Sequence, residues 1–426
     1  MQNRRSFIRT AAGLAAASST VLGANDRVRM GIIGTGMRGM QVWTAFSQNT
    51  DCVFAAACDV DSTRLDSAAQ RIGGNPQKYK DYRRILEDKD IDAVLVATPD
   101  HWHSQMTIDA IAAGKDVYVE KPASNTLAAA IRMREAYSKS KQVVQLGTQQ
   151  RSWPHFLECC KMIRDGKIGV VSQAVCTYQG GYGSVPQPAE APPATLDWDL
   201  WQGPAPHKPY SPSRRRWRAF YDYGGGLVTD WGVHLTDTAI LAMAADKLGP
   251  SLTAAAAQYV SFPRDPEQVP DTFVCSWQYP NFTMSLTDLR LPGDQGDAIP
   301  NNGNYFYGTR GVLQVNRSGY RIWPAPPRPP RPAPAGATTQ VAAPQAPAAS
   351  PLEAVRWIAP AQEGAPDPDQ GTKLHTRNFL DCVKSRNKPN AELEIGFHAT
   401  LPCLVGLMAI QQGRAFVWDG NNARPA

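Results

Sequence analysis

Two short stretches carry residue types suited to moving a proton on or off a hydroxyl. Lys121 sits between Glu120 and Pro122 at the end of an apolar run. An ammonium there can hydrogen-bond a hydroxyl and help it lose its proton as hydride leaves the adjoining carbon, with Glu120 holding the ammonium in place. Much later, Asp230 and His234 are spaced so that one helix would carry both on one face, about one turn apart. Such a pair supplies an imidazole for proton transfer, with a carboxylate beside it to raise its pKa or to fix a substrate. The glycines Gly224, Gly225 and Gly226 precede the pair and permit close approach of backbone or ligand. Each signal also has a plain structural reading: a salt bridge at a strand end for Lys121, a helix N-cap and a satisfied histidine for the pair. A metal pair would need further ligands, and no His/Cys/Glu cluster offers them at a recognisable spacing. No metal is therefore expected.

The elements that must position these groups begin at Val28. The run Val-Arg-Met-Gly-Ile-Ile reads as a buried strand entering the turn Gly34-x-Gly36-x-x-Gly39. In a strand-turn-helix unit the first glycine permits the turn, the second lets backbone approach a pyrophosphate, and the third allows close helix-strand packing. The pyrophosphate would sit on the positive helix N-terminus. A second apolar run, 53–58, ends in Asp59, about 20 residues on, where a carboxylate can hold the ribose 2′-hydroxyl of NAD. An ordinary βαβ turn without a ligand is the competing reading. Helices are expected at 40–48, 61–71 (with Leu65 and Ala69 on its inner face), after His103 through Ile111 to a Gly114 cap, and at 127–138. Strands are expected at 91–97, 116–119 and 143–147. This alternation implies a doubly wound parallel sheet, and Gly34, Asp59, Thr98 and Lys121 all fall at carboxyl ends of its strands.

From about residue 149 the texture changes. A segment rich in Gly, Pro and Trp, 180–226, is too long for a simple connection, and its aromatics favour an ordered loop covering a site. A helix is expected at 230–243, β-like runs at 252–262, 272–278 and 282–289, a hairpin at 305–315, and helices at 372–383 and 397–411. These compose an α/β domain with a large open, mainly antiparallel sheet. The stretch 324–351 is rich in Pro and Ala and is read as a solvated insertion. The expected division is a leader at 1–24, a dinucleotide-binding domain at 25–148 and a second domain at 149–426.

Bulk properties narrow the choices. The 426 residues, 42% hydrophobic and 19% charged, suit about two globular domains. A charge of +6 with only short basic clusters leaves no nucleic-acid footprint. No internal run reads as long enough to span a bilayer. Eight scattered cysteines lack C-x-x-C spacing, and an oxidising compartment would permit one or two disulfides. Arg4-Arg5-Ser6-Phe7-Ile8, followed by an alanine-rich segment and small residues near Ala24, has the layout of a secretory signal of the twin-arginine type. A cytoplasmic amphipathic helix is the alternative. The signal reading implies the twin-arginine export machinery as a partner and a periplasmic or otherwise exported protein.

In combination, Gly34-Thr-Gly36-x-x-Gly39, Ala97-Thr-Pro-Asp-x-x-His103, Ala113-Gly114-Lys115-x-Val117-x-x-Glu120-Lys121-Pro122 and Asp230-x-x-x-His234 resemble, in order, the Gfo/Idh/MocA oxidoreductases. The resemblance implies an NAD-dependent oxidoreductase acting on a secondary hydroxyl of a sugar, inositol or related polyol. It implies Lys121, Asp230 and His234 as the catalytic trio, with His234 the general acid/base. Thr98, Pro99 and His103 would line the nicotinamide side, Asp59 the adenosine ribose, and Gly34, Thr35, Gly36, Met37, Arg38, Gly39, Glu120 and Lys121 the remainder of the cofactor site. Asp59 favours NAD over NADP because a carboxylate repels a 2′-phosphate, a preference that Arg38 and Arg64 would soften. Homo-oligomerisation, as dimer or tetramer, through the second domain's sheet is implied as well. Export would require a tightly bound cofactor, loaded before transport and recycled in place. The alternatives are an NAD-dependent glycosidase or lyase and a non-catalytic sugar or dinucleotide sensor.

Overall fold

Short apolar runs with no charged interruption cannot leave either face in water, and in the computed structural model they form the interior of a parallel sheet. The structure describes residues 27–288, 302–326, 355–358 and 369–426. The expected leader at 1–24 and nearly all of the proline-rich insertion at 324–351 lie outside the described residues. The first layer runs β1 (Val28–Ile33), α1 (Met37–Phe46), β2 (Cys52–Cys58), α2 (Ser62–Ile72), β3 (Gln77–Tyr79), α3 (Arg83–Glu87), β4 (Ala93–Val96), α4 (Asp100–Ala112), β5 (Asp116–Val119), α5 (Leu127–Ser138) and β6 (Val144–Leu146). Its strand order is β3-β2-β1-β4-β5-β6, with every neighbouring pair parallel. Every residue of β4 and β5 is buried. The chain starts at the centre, works outward to β3 and returns at β4, so the crevice outside β1 and β4 is the topological switch point. In α2 the inward residues are Leu65 and Ala68 rather than Leu65 and Ala69, while the Asp61 side chain caps the helix by accepting from Thr63 N.

The second layer contains α6 (Pro154–Arg164), β7 (Val171–Tyr178), α7 (Trp198–Gln202), α8 (Gly226–Asp230), α9 (Gly232–Ala242), β8 (Leu252–Gln258), β9 (Thr272–Gln278), β10 (Thr283–Asp288), β11 (Gly303–Gly308), β12 (Gly311–Asn316), β13 (Gly319–Pro324) and β14 (Val355–Ile358). Then follow α10 (Gln370–Ser385), α11 (Leu393–Gln412), β15 (Phe416–Trp418) and β16 (Ala423–Pro425). Among the described residues ten strands form one sheet, β14-β13-β12-β11-β7-β10-β9-β8-β15-β16, in which β7 and β10 run parallel and the other described pairs antiparallel. Alternation along β9 buries Phe273, Cys275 and Trp277 against the helices and turns Val274 outward. All eight cysteines are free thiols, and those of the second layer fill its core as small hydrophobes, so no disulfide is used.

Two helices at the carboxyl end tie the layers together. Phe379 of α10 packs edge-on against Phe46 and Tyr118, each at 5.9 Å, so this late helix completes the core of the first sheet. α11, 20 residues long, contains an 18-residue window of mean hydropathy 1.6, enough by length and composition alone to cross a bilayer. It is a core helix instead, with 78% of that apolar window buried inside the protein.

Candidate active site

The glycine turn is shaped by two steric demands. Gly34 adopts φ +89°, and a Cβ there would stand 2.7 Å from the Ala97 carbonyl oxygen. A Cβ at Gly39 would stand 2.1 Å from the Gly34 carbonyl oxygen, so only glycine lets α1 pack this close to β1. The first N–H groups of α1 have no intrahelical acceptor and face the crevice with the positive end of the helix dipole. Asp59, at the end of β2, is bound to the turn: its Oδ2 accepts from Thr35 N (2.8 Å) and Thr35 Oγ1 (2.9 Å), and its Oδ1 from Asp61 N (3.0 Å). A carboxylate offers about four lone-pair positions, so one remains for a ribose hydroxyl. Anion-binding amides, a closely approachable backbone and a free carboxylate acceptor fit a dinucleotide. Thr35 and Gly39 shape this turn from beneath, whereas Gly34, Gly36, Met37, Arg38 and Asp59 line a cavity of about 470 Å³.

The far end of the same cavity is lined by Thr98, Pro99, His103, Glu120, Lys121, Asp230 and His234. His103 is buried, with its ring nitrogens 2.7 Å from the Pro122 carbonyl and 2.9 Å from the Thr98 carbonyl. It therefore braces the β4-α4 turn against the end of β5, and its ring surface borders the cavity. Lys121 does not pair with Glu120 as expected. Glu120 Oε1 instead accepts from Arg38 Nε at 2.9 Å, so Arg38 lies along the cavity floor rather than toward the ribose end. Lys121 Nζ donates to Asp230 Oδ1 and, at 2.9 Å, to the Asp230 carbonyl.

Asp230 is the hub of this end. Tyr182 donates to its Oδ2, and Arg218 Nε lies 3.2 Å from its Oδ1. Burial alone would raise the Asp230 carboxyl, but the charges of Lys121 and Arg218 and hydrogen bonds from Lys121 and Tyr182 outweigh it and hold the group well below the usual range. Asp230 and His234 do not share one helix. Asp230 ends α8, Trp231 intervenes with helical angles (φ −83°, ψ −31°), and His234 lies in the first turn of α9. Nor does the carboxylate raise the imidazole: burial, with the Lys121 and Arg317 charges, depresses His234 well below its ordinary value, and Asp230 offsets this only in part. The His234 Nδ1 is buried without a hydrogen-bond partner. The glycine run at the start of α8 packs closely against protein; a Cβ at Gly225 would stand 2.4 Å from Leu407 Cδ1.

Several contributors escaped sequence reading. Asp100, the first residue of α4, is buried at the cavity wall; burial raises its carboxyl to about 8 against the opposing pull of Arg218 and Lys121. Arg218 and Tyr182 reach Asp230 from the long loop, and Arg317 reaches the cavity from the turn between β12 and β13. Of the basic run that precedes Trp217, Arg215 lines the cavity while Arg214 pairs with Glu267 at 2.6 Å. Aromatic density was the one available signal for the loop. It lies as a strap across both layers, with Ser62 N donating to Thr195 O (2.9 Å) and Asp197 N to Val60 O (3.0 Å). The Trp201 carbonyl accepts from His101 Nε2 (3.0 Å) and Trp102 Nε1 (2.9 Å), and Trp201 stacks on Trp198 at 4.6 Å.

Known proteins resemble this chain in sequence and in fold. Residues 28–148 match an oxidoreductase family with an NAD-binding Rossmann fold, and residues 176–285 match the carboxyl-terminal α/β domain of the same family. Inositol 2-dehydrogenase 2 of Saccharopolyspora erythraea is 31% identical over 182 residues, 42% of this chain and 51% of that protein. A glycosyl hydrolase family 109 protein of the same organism is 31% identical over 157 residues, 35% of this chain and 34% of that protein. The match thus spans about a third to a half of the length of these curated relatives. A levoglucosan dehydrogenase solved with NADH and levoglucosan shares the fold, with a TM-score of 0.67 at 19% identity over 91% of this chain and 98% of that one. With both domains matched in order, and with a dinucleotide turn facing a Lys/Asp/His cluster across one cavity, the chain belongs to the Gfo/Idh/MocA family of oxidoreductases, and its cofactor is NAD.

Proposed function

We propose that the protein oxidises or reduces a secondary hydroxyl of a sugar, inositol or related polyol, with Lys121, Asp230 and His234 as its catalytic groups. The observation that carries this reading is the convergence of these three side chains at the end of the cavity opposite the Asp59 carboxylate. Lys121 has three N–H donors, of which two are engaged by Asp230, so the third is free to hold a substrate hydroxyl. His234, held neutral by its surroundings, can accept the hydroxyl proton in oxidation and return it in reduction. Asp230 keeps the ammonium charged and aimed, while Tyr182 and Arg218 fix Asp230. Bound NAD supplies the hydride acceptor. It would be held by the glycine turn, Asp59 and the wall formed by Thr98, Pro99 and His103. Asp59 disfavours a 2′-phosphate, and Arg38 is committed to Glu120. Nothing in the described site favours the glycosidase or sensor reading over this one.

The test is nicotinamide absorbance with a panel of inositols and sugars, using the wild type, Lys121→Met and His234→Asn. Each variant is expected to lose roughly 10²- to 10⁴-fold in kcat, the usual worth of a positioned acid or base. Variants as active as the wild type would refute the assignment.

We further propose export through the twin-arginine route with the nucleotide already bound, as the basic amino-terminal segment suggests. Association of two copies is proposed through the outward face of the ten-stranded sheet, where Ala256, Val274 and Thr287 form a cross-strand row.

A further inference from the structure

Among the described residues, every cation at the catalytic end of the cavity but one has a carboxylate partner. Arg38 is paired with Glu120, and Lys121 and Arg218 share Asp230. Arg317 differs. It is carried by the turn between β12 and β13, lines the cavity, and makes no ion pair or hydrogen bond among the described residues. Its guanidinium lies 4.3 Å over the ring of Trp231, the residue between Asp230 and His234, and its Nε is shielded from solvent without an acceptor. Burial and the nearby Arg38 charge lower the group to about 10, a cost that Tyr178, Asp230 and Glu120 only partly offset, yet it stays charged at neutral pH. A shielded guanidinium without an anion is expensive to keep, and such groups concentrate where a ligand completes them. The local charge balance points the same way. Lys121, Arg218 and Arg317 face one ionised carboxylate, Asp230, because Asp100 is held largely neutral.

We propose that the substrate is an acidic sugar, whose carboxylate is bound by Arg317 while its secondary hydroxyl lies between Lys121 and His234. A planar guanidinium braced on an indole matches a carboxylate with two parallel hydrogen bonds, a geometry that a neutral hydroxymethyl group cannot supply. Arg317 is thus a specificity-determining residue, and the inference rests on the dehydrogenase reading above.

The experiment uses the full-length, cofactor-loaded protein with matched pairs: glucose against glucuronate, galactose against galacturonate, and glucose 6-phosphate as a separate anion. Wild-type kcat/KM is expected to favour the uronate over its neutral partner by roughly 10- to 100-fold, the worth of a charge-assisted hydrogen bond. Arg317→Met should remove that ratio, mainly through KM, and Arg317→Lys should restore part of it. A preference for the neutral partner, a ratio unchanged in Arg317→Met, or a sugar phosphate preferred over the uronate would overturn the proposal. Tryptophan fluorescence of the loaded protein separates this failure from that of the dehydrogenase reading. Uronate binding that is lost in Arg317→Met without any turnover would sink the reaction and keep the anion site, whereas no uronate binding would sink the site itself.

Discussion

Two buried groups in the cavity with Lys121 have their charge changes moved in opposite directions, and a pH profile with two features is expected from them. His234 is depressed well below its ordinary value, so it stays neutral through the range in which an exposed histidine would protonate. Asp100 moves the other way, ionising near 8 instead of near 4, because burial disfavours its charged form. For hydroxyl oxidation, the acid limb of the kcat/KM profile is expected below the ordinary histidine value of about 6.5. As pH rises through about 8, Asp100 gains a negative charge close to Lys121 and Arg218, and an inflection is expected there. Asp100→Asn should abolish the alkaline inflection and leave the acid limb in place. An alkaline inflection that persists unchanged in this variant would show that another group causes it. Asp100 was visible in the sequence only as part of a run, because burial and charge surroundings are properties of the fold and not of residue order.

At the scale of elements, the strap from Thr195 to Arg218 lines one side of the nucleotide crevice. Its hold on the first layer runs through backbone bonds at Val60 and Ser62 and through the Trp201 carbonyl. Trp201→Ala removes the stack with Trp198 and the ring that borders the cavity, so the strap should loosen. Wild-type protein purified without added nucleotide is expected to release NAD on denaturation, and Trp201→Ala protein to release much less. Recovery of no nucleotide from the wild type would remove the case for a resident cofactor. The strands and helices of the first layer were legible because their pattern is local: apolar runs alternate with amphipathic segments and end in glycine. The hydrogen bonds of Glu120 and Asp230 were not legible. Glu120 is adjacent to Lys121 in sequence, but consecutive residues near a strand end point apart, and each found its partner on a distant element, Arg38 on α1 and Asp230 on α8. The break at Trp231 was hidden too, since a single interruption leaves the helical spacing of apolar residues intact.

For the whole molecule, the outward face of the ten-stranded sheet is the surface proposed for self-association. Val274 is 44% exposed at its centre, flanked by small residues on the neighbouring strands. Val274→Asp is expected to convert a dimer or tetramer into monomers by light scattering, since a charge at the middle of a buried face costs several kcal/mol unless paired. If the variant keeps the wild-type mass, the sheet face is not the interface. The two layers are otherwise joined from within, because α10 fills the core of the first sheet from the far end of the chain.

For a nucleotide resident in the cavity, the strap would also set a kinetic order. A nucleotide lying beneath a segment fastened to both layers can leave only after that segment lifts, and lifting is an event of the protein alone. Exchange of isotopically labelled NAD into the enzyme would then proceed at a rate independent of the free nucleotide concentration, limited by strap opening. Turnover need not share that limit, provided that each hydride taken from one hydroxyl-bearing molecule is handed to a second carbonyl-bearing one before the strap lifts. In that regime the protein carries electrons between two small molecules, and NAD is its prosthetic group.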